Sequence, residues 1–340
     1  EISCSLVGSE MCIRDRRAPM SEIRLRELQE LFEEVVYDPW NKTGERFYEK
    51  EMLEALKTVQ PDILITELDR ITEAVVSNYK GLKVIGDCRA NPANIDVEAC
   101  SAHGIPVLCT PARNATAVAE MLVGMLIAYM RKLLPATAWV RDGQWIEGTT
   151  PYYTWMGNEL HGKHVGFVGF GAVGKAAAHL LDAFGCSISY YDPYVSDTPY
   201  TKCELQELFT ACDVISIHLP VLPATEKLIS RDLLYTMKPD AVFVNTARSA
   251  VVDMEALQDM AREKRIKGIL LDVLNSEPPL PDDLKIIEND NVLLTPHICG
   301  ATYEVTDHQS DIITERLKAW KKQEQLERIV YNYHSLKMPL

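Results

Sequence analysis

Residues 164–181 read HVGFVGFGAVGKAAAHLL, and this stretch decides the fold. An apolar run typical of a buried strand opens it, and an alanine-rich helical pattern closes it. Between them Gly169, Gly171 and Gly174 stand in G-x-G-x-x-G spacing. In a strand–turn–helix unit these glycines make the tight turn, let a pyrophosphate approach the backbone, and permit close helix–strand packing. We therefore predict a dinucleotide-binding unit. The alternative is a structural glycine-rich turn in another kind of α/β protein.

The next strand pattern favours one nicotinamide cofactor over the other. Residues 187–191, SISYY, end at Asp192, 18 residues beyond Gly174. An acidic residue about 20 residues past the glycines binds the ribose 2′-OH and repels a 2′-phosphate. The following Pro193, Tyr194 and Val195 offer no cation to accept such a phosphate. We therefore expect NAD rather than NADP.

Apolar runs and helical patterns alternate on both sides of this unit. Predicted strands before it are Val35–Tyr37, Ile63–Thr66, Lys83–Cys88 and Ile105–Thr110; those from it onward are His164–Gly169, Ser187–Tyr191, Val214–His218, Ala241–Asn245, Ile269–Val273 and Val292–Thr295. Long helices are predicted at about Asn114–Leu134, ended or kinked by Pro135, and at about Thr302–Lys322. Strict alternation is typical of βαβ units, so we predict an α/β fold with a doubly wound parallel sheet.

Composition excludes several classes of function. The 340 residues carry a net charge of −14, which disfavours nucleic acid and anionic membrane surfaces as partners. The nine cysteines include no C-x-x-C pair, which favours a reducing compartment, the cytoplasm. The most apolar stretch, residues 115–130, contains Glu120 and is too short for a membrane span. His161 and His164 lack a third ligand nearby, so we expect no metal.

Three polar residues follow predicted strands and together suit reduction of a 2-oxo acid. An arginine such as Arg248 matches a carboxylate with its planar fork and can polarise the neighbouring carbonyl. A histidine such as His297 can donate a proton near neutral pH. A carboxylate such as Glu277 would orient that ring and favour its protonated form. Taken alone, His297 could be a hydrogen-bonding residue at a strand end, Glu277 a turn residue and Arg248 a helix cap. Their joint position after the strands of a dinucleotide-binding unit favours the catalytic interpretation.

The chain resembles the D-isomer-specific 2-hydroxyacid dehydrogenase family. The stretches that carry the resemblance are GIPVLCTPARNATAVAE (104–120), HVGFVGFGAVG (164–174), CDVISIHLP (212–220), VNTARSAVVDMEAL (244–257), ILLDVLNSEPPLP (269–281) and NVLLTPHICGAT (291–302). The resemblance implies that Arg248 binds and activates substrate, that Glu277 is the acid paired with the catalytic His, and that His297 is the acid/base. It also implies cofactor contacts at Gly169, Gly171, Ala172, Val173, Gly174, Asp192, Leu219, Pro220, Thr225, Thr246, Ala247, Arg248, Asp272, His297 and Gly300.

The resemblance also implies an architecture. A Rossmann domain, residues 113–296, is inserted into a smaller flavodoxin-like α/β substrate domain formed by residues 20–112 and 297–340. Relatives usually form homodimers. The apolar face of the first long helix, with Val118, Leu122 and Leu126, suits such a contact or an intramolecular core equally well.

Two stretches depart from the family pattern. Relatives carry a glycine-rich loop whose N–H groups hold the substrate carboxylate, whereas this chain has CRANPANID at residues 88–96. We expect Arg89, Ala90 and Asn91 to bind substrate there, with Arg89 binding a second anion such as phosphate or forming a structural salt bridge. Residues 1–19, EISCSLVGSEMCIRDRRAP, resemble translated sequencing-adapter read-through, so we interpret them as a non-native head; a natural N-terminus is the alternative.

The function predicted from these residues is hydride transfer between NAD(H) and C2 of a small D-2-hydroxy or 2-oxo acid, phosphorylated or of the glyoxylate/hydroxypyruvate kind. Two alternatives use the same scaffold: formate oxidation, which needs no paired Glu277, and a non-catalytic NAD-sensing protein.

Overall fold

The computed structural model describes residues 15–337, with side chains from Arg17 onward. The chain divides into two compact units. Unit 1 comprises Glu1–Arg113 and Thr302–Leu340, and unit 2 comprises Asn114–Ala301. Residues 297–301 therefore group with unit 2, whereas the sequence analysis assigned them to the substrate domain.

Unit 1 is a parallel sheet covered by helices. Its strands are β1 (Asp15–Arg16), β2 (Ile63–Thr66), β3 (Val84–Asp87) and β4 (Val107–Cys109), and its helices are α1 (Glu22–Leu31), α2 (Glu49–Val59), α3 (Glu73–Asn78) and α4 (Val97–Ala102), with α13 (Tyr303–Lys321) and α14 (Leu326–Ile329) from the end of the chain. The strands lie in the order β1-β2-β3-β4 and every pair is parallel. Strands β2, β3 and β4 are buried along their whole length, as expected of a sheet covered on both faces.

The predicted strand at Val35–Tyr37 is wrong. Within this segment only Val35 forms an isolated bridge, and all three residues are half-buried. Three apolar residues are too few for periodicity to separate a strand from an extended loop. Pro39 follows closely, and the Tyr37 hydroxyl accepts a hydrogen bond from the Met20 N–H at 3.0 Å.

Residues 15–19 belong to the fold, although the sequence analysis placed them in the head. β1 pairs in parallel with Leu64 and Ile65 of β2. Arg17 is buried, forms ion pairs with Asp38 and Asp69, and lies 3.5 Å from the centre of the Phe47 ring. Residues 1–14, the greater part of that predicted head, lie outside the described residues.

Helix α13 completes the core of unit 1 after the chain has left and returned. Ile313 is fully buried and packs directly over Gly86, where a Cβ would lie 2.9 Å from its Cδ1. The buried Gln309 side chain donates to the Pro19 carbonyl at 2.7 Å. The first and last parts of the chain therefore share one core.

Unit 2 holds a seven-stranded sheet. Its strands are β5 (His164–Val168), β6 (Ser187–Tyr191), β7 (Thr201–Lys202), β8 (Val214–Ile217), β9 (Val242–Asn245), β10 (Gly268–Leu271) and β11 (Val292–Leu294); its helices are α5 (Ala115–Met130), α6 (Leu133–Arg141), α7 (Pro151–Thr154), α8 (Ala172–Ala183), α9 (Leu205–Ala211), α10 (Arg231–Leu234), α11 (Met254–Arg262) and α12 (Pro281–Leu284). The strand order is β11-β10-β9-β8-β5-β6-β7, all parallel. The order reverses between β5 and β8, which is the switch point of a doubly wound sheet. The predicted α/β fold with a Rossmann sheet is confirmed.

The first long predicted helix is two helices. α5 ends at Met130, and Lys132 adopts the left-handed conformation with φ of 53° before α6 begins. Pro135 is the third residue of α6, where a missing N–H leaves no hydrogen bond unmade. A continuous helix would instead drive the proline ring into the carbonyl of Arg131, so the break falls before the proline.

The apolar face of α5 is part of the core of unit 2. Val118, Leu122, Met125 and Leu126 are buried in the cluster that also contains Phe167 and Leu181. The sequence left open whether this face forms a dimer contact or an intramolecular core, and the structure supports the intramolecular core. No helix in the described part of the chain is long and apolar enough to cross a bilayer.

Candidate active site

The glycine-rich turn lies at the switch point of the unit 2 sheet. Gly169 follows β5 with φ of 89°, and a Cβ there would lie 2.6 Å from the His218 carbonyl oxygen, just beyond β8. A Cβ on Gly174, in the first turn of α8, would lie 2.7 Å from the Gly169 carbonyl oxygen. Both positions exclude any larger residue, because backbone atoms occupy the space.

Gly171 differs, since a Cβ there would meet nothing within 4 Å. It is the N-cap of α8, so free backbone N–H groups and the positive end of the helix dipole face this open space. Such an arrangement is suited to a pyrophosphate. Ala172 and Val173, the next two predicted contacts, form the first turn of the same helix. The residues present thus fit the dinucleotide that the fingerprint predicts.

Asp192 stands at the end of β6, next to the glycine turn. Its carboxylate accepts hydrogen bonds from the backbone N–H of Phe170 at 2.8 Å, Tyr194 at 2.8 Å and Val195 at 3.1 Å. It therefore joins the glycine turn to the loop after β6, and it leaves lone pairs to accept further donors.

The other predicted cofactor positions in unit 2 follow neighbouring strands. Leu219, Pro220 and Thr225 lie after β8, where the Thr225 hydroxyl donates to the Pro220 carbonyl at 2.6 Å. Thr246 and Ala247 follow β9, and the buried Thr246 hydroxyl has no partner among the described residues. Gly300 lies against Asn114, whose Nδ2 would be 2.6 Å from an added Cβ.

His297 and Glu277 are brought into contact. Nδ1 of His297 lies 2.6 Å from Oε2 of Glu277, and both side chains are about half exposed, at 42% and 44%. A carboxylate only accepts, so Nδ1 carries the proton of this hydrogen bond. The opposite nitrogen, Nε2, remains for a ligand.

Asp272 holds the loop that carries His297. Its buried carboxylate accepts from the Thr295 hydroxyl at 2.5 Å, the Ile298 N–H at 2.9 Å and the Cys299 N–H at 2.8 Å. His297 itself has φ of 55°, a left-handed conformation that costs a non-glycine residue roughly 1–2 kcal/mol. Three hydrogen bonds to a single carboxylate maintain that conformation.

Arg248 is held by its backbone. The Asn245 side chain accepts from the Ala247 N–H at 3.0 Å and donates to the Arg248 carbonyl at 2.9 Å. The exposed guanidinium donates to the Ala247 carbonyl at 2.6 Å. Within the described residues it contacts neither Glu277 nor His297, so its other N–H groups remain for a ligand.

Sequence reasoning missed the side chains that brace these loops. The buried Ser249 hydroxyl donates to the Leu274 carbonyl at 3.0 Å and so ties the Arg248 loop to the loop that carries Glu277. Ser276 bonds to Asp283 just before Glu277. The only available signal was the position of these small polar residues beside the predicted site.

His218 is structural in this geometry. It is stacked on Phe167 and lies 2.8 Å from the Ser216 hydroxyl through Nε2. Burial lowers the pKa of His218 to about 4, so the ring is neutral at physiological pH.

The predicted substrate residues Arg89, Ala90 and Asn91 belong to unit 1. They follow β3 at the carboxyl edge of its parallel sheet. Ala90 and Asn91 are exposed and Arg89 is half-buried. The Arg89 carbonyl accepts from the Thr110 N–H at 2.8 Å, which ties this loop to the end of β4.

Comparison with known proteins gives the same family through a family model and through similar sequences. The model of the D-isomer specific 2-hydroxyacid dehydrogenase NAD-binding domain matches residues 123–299. A Bacillus subtilis (strain 168) protein named "Putative 2-hydroxyacid dehydrogenase YoaD" is 44% identical over 94% of both chains. D-3-phosphoglycerate dehydrogenase of Methanocaldococcus jannaschii is 32% identical over 92% of this chain and 58% of that protein.

A solved structure extends the comparison to the fold. The acyclic imino acid reductase Bsp5, in complex with NADPH and D-Arg, superimposes with a TM-score of 0.76. It is 27% identical, and the match covers 93% of this chain and 98% of that one.

The two glycines with opposite surroundings give a paired test of the cofactor cradle. We expect Gly174→Ala to lower the free energy of unfolding by roughly 1–3 kcal/mol, because its Cβ meets backbone. We expect Gly171→Ala to leave stability unchanged and to weaken NADH binding about tenfold, because the Cβ occupies the open space. Thermal denaturation and NADH fluorescence titration measure the two effects. If Gly171→Ala bound NADH as tightly as the unsubstituted protein, Gly171 would not be part of the cofactor site.

Proposed function

Because the chain belongs to the D-isomer specific 2-hydroxyacid dehydrogenase family, whose members are oxidoreductases of small hydroxy and oxo acids with a nicotinamide cofactor, we propose that Arg248, Glu277 and His297 are its catalytic residues. The observation that carries the proposal is the hydrogen bond of 2.6 Å between Glu277 and His297. Glu277 and His297 lie on loops that follow strands of the unit 2 sheet, at the same edge as the glycine turn and Arg248.

Each residue has a distinct role in the reductive direction. The exposed guanidinium of Arg248 binds the substrate carboxylate and polarises the carbonyl at C2. When bound, the reduced nicotinamide supplies the hydride that C2 accepts. His297 donates a proton from Nε2 to the oxygen on C2, while Glu277 keeps the ring oriented through Nδ1. Asp272 holds the loop that carries His297 through hydrogen bonds from Thr295, Ile298 and Cys299.

We infer that the cofactor is NAD(H). The support is Asp192, which places a carboxylate at the end of β6, where the next residues, Pro193, Tyr194 and Val195, supply no cation to accept a 2′-phosphate. Its lone pairs suit the ribose hydroxyl. The remaining predicted positions, Ala172, Val173, Leu219, Pro220, Thr225, Thr246, Ala247 and Gly300, are proposed cofactor contacts.

We propose that the substrate is a small 2-oxo acid, of the glyoxylate/hydroxypyruvate kind or phosphorylated, and that Arg89, Ala90 and Asn91 contribute to its binding. We also propose a cytoplasmic location, supported by the free thiols of Cys109, Cys186 and Cys299.

The reaction is tested by mixing purified protein with NADH and glyoxylate, hydroxypyruvate or phosphohydroxypyruvate, and following nicotinamide absorbance. We expect NADH oxidation with at least one of them, and a lower rate with NADPH because Asp192 repels the 2′-phosphate. Tight NADH binding with no oxidation across the panel would support the alternative, a non-catalytic NAD-sensing protein.

The role of His297 is tested by His297→Gln. We expect kcat to fall by roughly 10²–10⁴-fold, because the proton donor is lost, while NADH affinity stays within about twofold. His334→Gln, at an exposed histidine of unit 1, serves as the control. Turnover of His297→Gln near that of the control would refute the assignment.

We propose a homodimer that uses the segment following α5. Eight large apolar side chains lie exposed within 24 residues there: Leu133, Leu134, Val140, Trp145, Ile146, Tyr152, Tyr153 and Met156. Contiguous exposed apolar surface is typical of protein interfaces. A second copy of the chain is the partner that the family resemblance favours.

The dimer is tested by sedimentation velocity. We expect a species of about twice 38.3 kDa, and a shift to monomer for Tyr152→Glu combined with Tyr153→Glu, because charge on both sides of an apolar contact is costly. Tyr303→Glu, at a residue that is 95% exposed in unit 1, should leave the dimer intact. A monomeric unsubstituted protein would contradict the proposal.

A further inference from the structure

Glu277 depends on its own backbone for its position. Its carboxylate is about half exposed and contacts Nδ1 of His297 at 2.6 Å. Among residues 15–337 the Glu277 side chain has no other hydrogen-bond partner. The backbone of the loop after β10 therefore decides whether the carboxylate stays within reach of the ring, and hydrogen bonds of this kind depend steeply on distance and angle.

Prolines remove most of the N–H groups from this loop. The residues after Glu277 are Pro278, Pro279, Leu280 and Pro281, and each proline fixes φ but has no N–H to donate. Leu280 is the single residue of these four that can donate a backbone hydrogen bond. The segment is therefore stiff, and it must be attached to its surroundings mainly by side chains.

Asp283 attaches the segment on both sides of Glu277. The Ser276 hydroxyl, one residue before Glu277, donates to Oδ2 of Asp283. The Leu280 N–H, three residues after Glu277, donates to the same oxygen at 3.1 Å and also lies 3.1 Å from the Ser276 hydroxyl oxygen. One carboxylate oxygen therefore joins the two ends of the segment that contains Glu277.

Asp283 is ionised when it makes these contacts. The hydrogen bond from the Ser276 hydroxyl makes the largest contribution to lowering the pKa of Asp283 below its ordinary value. The Leu280 N–H and the Asn275 side chain act in the same direction, and partial burial opposes them. Because hydrogen bonds to an ionised acceptor are roughly twice as strong as neutral ones, this attachment is strong at neutral pH.

The helix that carries Asp283 is itself attached to unit 2. The Gln258 side chain on α11 donates to the Asp282 carbonyl at 3.3 Å. Ile286, three residues beyond Asp283, is buried in the hydrophobic core of this unit. All of these contacts lie within unit 2, which also holds the residues around Glu277.

We propose that Asp283 is a positioning residue for the reaction, because it fixes the backbone on both sides of Glu277 and so keeps the Glu277 carboxylate on Nδ1 of His297. Nε2 then remains free for proton transfer. This inference rests on the proposed function and adds to it a residue that acts through Glu277 alone.

The role of Asp283 is tested first by kinetics. Asp283→Ala removes the attachment, whereas Asp283→Asn keeps an oxygen that can accept both hydrogen bonds. With a 2-oxo acid that the unsubstituted protein reduces, we expect Asp283→Ala to lower kcat by about 10- to 100-fold, because a displacement of about 1 Å has an effect of that size. NADH affinity should stay within about twofold, and Asp283→Asn should recover much of kcat.

Asp282→Ala is the matched control. It removes the same charge from the adjacent position of α12, where the side chain is 88% exposed and pairs with Lys285 at 2.7 Å. We expect its kcat to stay within about twofold of that of the unsubstituted protein. Equal kcat values for Asp283→Ala and Asp282→Ala would overturn the proposal.

A double-mutant cycle shows whether Asp283 acts through Glu277. In a protein that already carries Glu277→Ala, adding Asp283→Ala should lower kcat by less than about twofold, because the carboxylate that it positions is absent. A further loss as large as the one that Asp283→Ala causes alone would indicate a general structural defect, and the positioning role would be wrong.

The ring of His297 gives a readout that needs no turnover. Two-bond ¹H–¹⁵N spectra of the NADH-bound, ¹⁵N-histidine-labelled protein at about pH 9 show which ring nitrogen carries the proton. The His297 signals are identified by their absence from His297→Gln. We expect the proton on Nδ1 in the unsubstituted protein and in Asp282→Ala, and a shift toward Nε2 in Asp283→Ala. If the proton stayed on Nδ1 in Asp283→Ala, the proposal would be overturned.

The same spectra separate this proposal from the proposed function. A protein that reduces no oxo acid, but whose His297 proton moves in Asp283→Ala, would contradict the proposed function alone. A protein that reduces an oxo acid equally well with and without Asp283→Ala would contradict the role of Asp283 alone.

Discussion

The reversal of strand order between β5 and β8 is the constraint on which the rest of unit 2 depends. Neighbouring connections leave these two strands in opposite directions across the sheet, so their carboxyl ends open onto a space that no connection covers. The backbone after β5 must turn within contact distance of the His218 carbonyl, which only glycine at position 169 permits. Because every strand is parallel, the loops bearing Arg248, Glu277 and His297 emerge at this same edge.

Exposed functional side chains on loops require rigid support, and short polar side chains provide it here. Asn245 brackets the Arg248 loop, Ser249 ties it to the next loop, and Asp272 accepts three hydrogen bonds around His297. Each brace originates at or just after the end of a buried strand and fixes a neighbouring loop. The reacting groups can therefore stay accessible to a ligand without being mobile.

The sequence predicted what depends on local pattern. Continuous apolar runs predicted the first and last residues of β5, β6 and β8 to β11, nearly all of them to within about one residue. Parallel strands that are buried on both faces give that pattern. The glycine spacing located the turn for the same local reason. The helix break at Lys132 was not predicted, because its position before Pro135 depends on how α5 packs. The strand predicted at Val35–Tyr37 was wrong, because three residues are too few to show a periodicity. The pairing of Glu277 with His297 was expected from their types, whereas the hydrogen bond from Ser249 to the Leu274 carbonyl joins loops that follow strands adjacent only in space.

The discontinuity of unit 1 has a consequence for the order of events during synthesis. Unit 2 is one continuous stretch, so all of its strands can leave the ribosomal exit tunnel while α13 is still inside it. Unit 1 at that moment has its sheet but lacks Ile313 and Gln309, which fill its core. The nascent chain thus carries a finished nucleotide-binding unit beside a half with exposed apolar strands, and that half is the part a chaperone would have to shield.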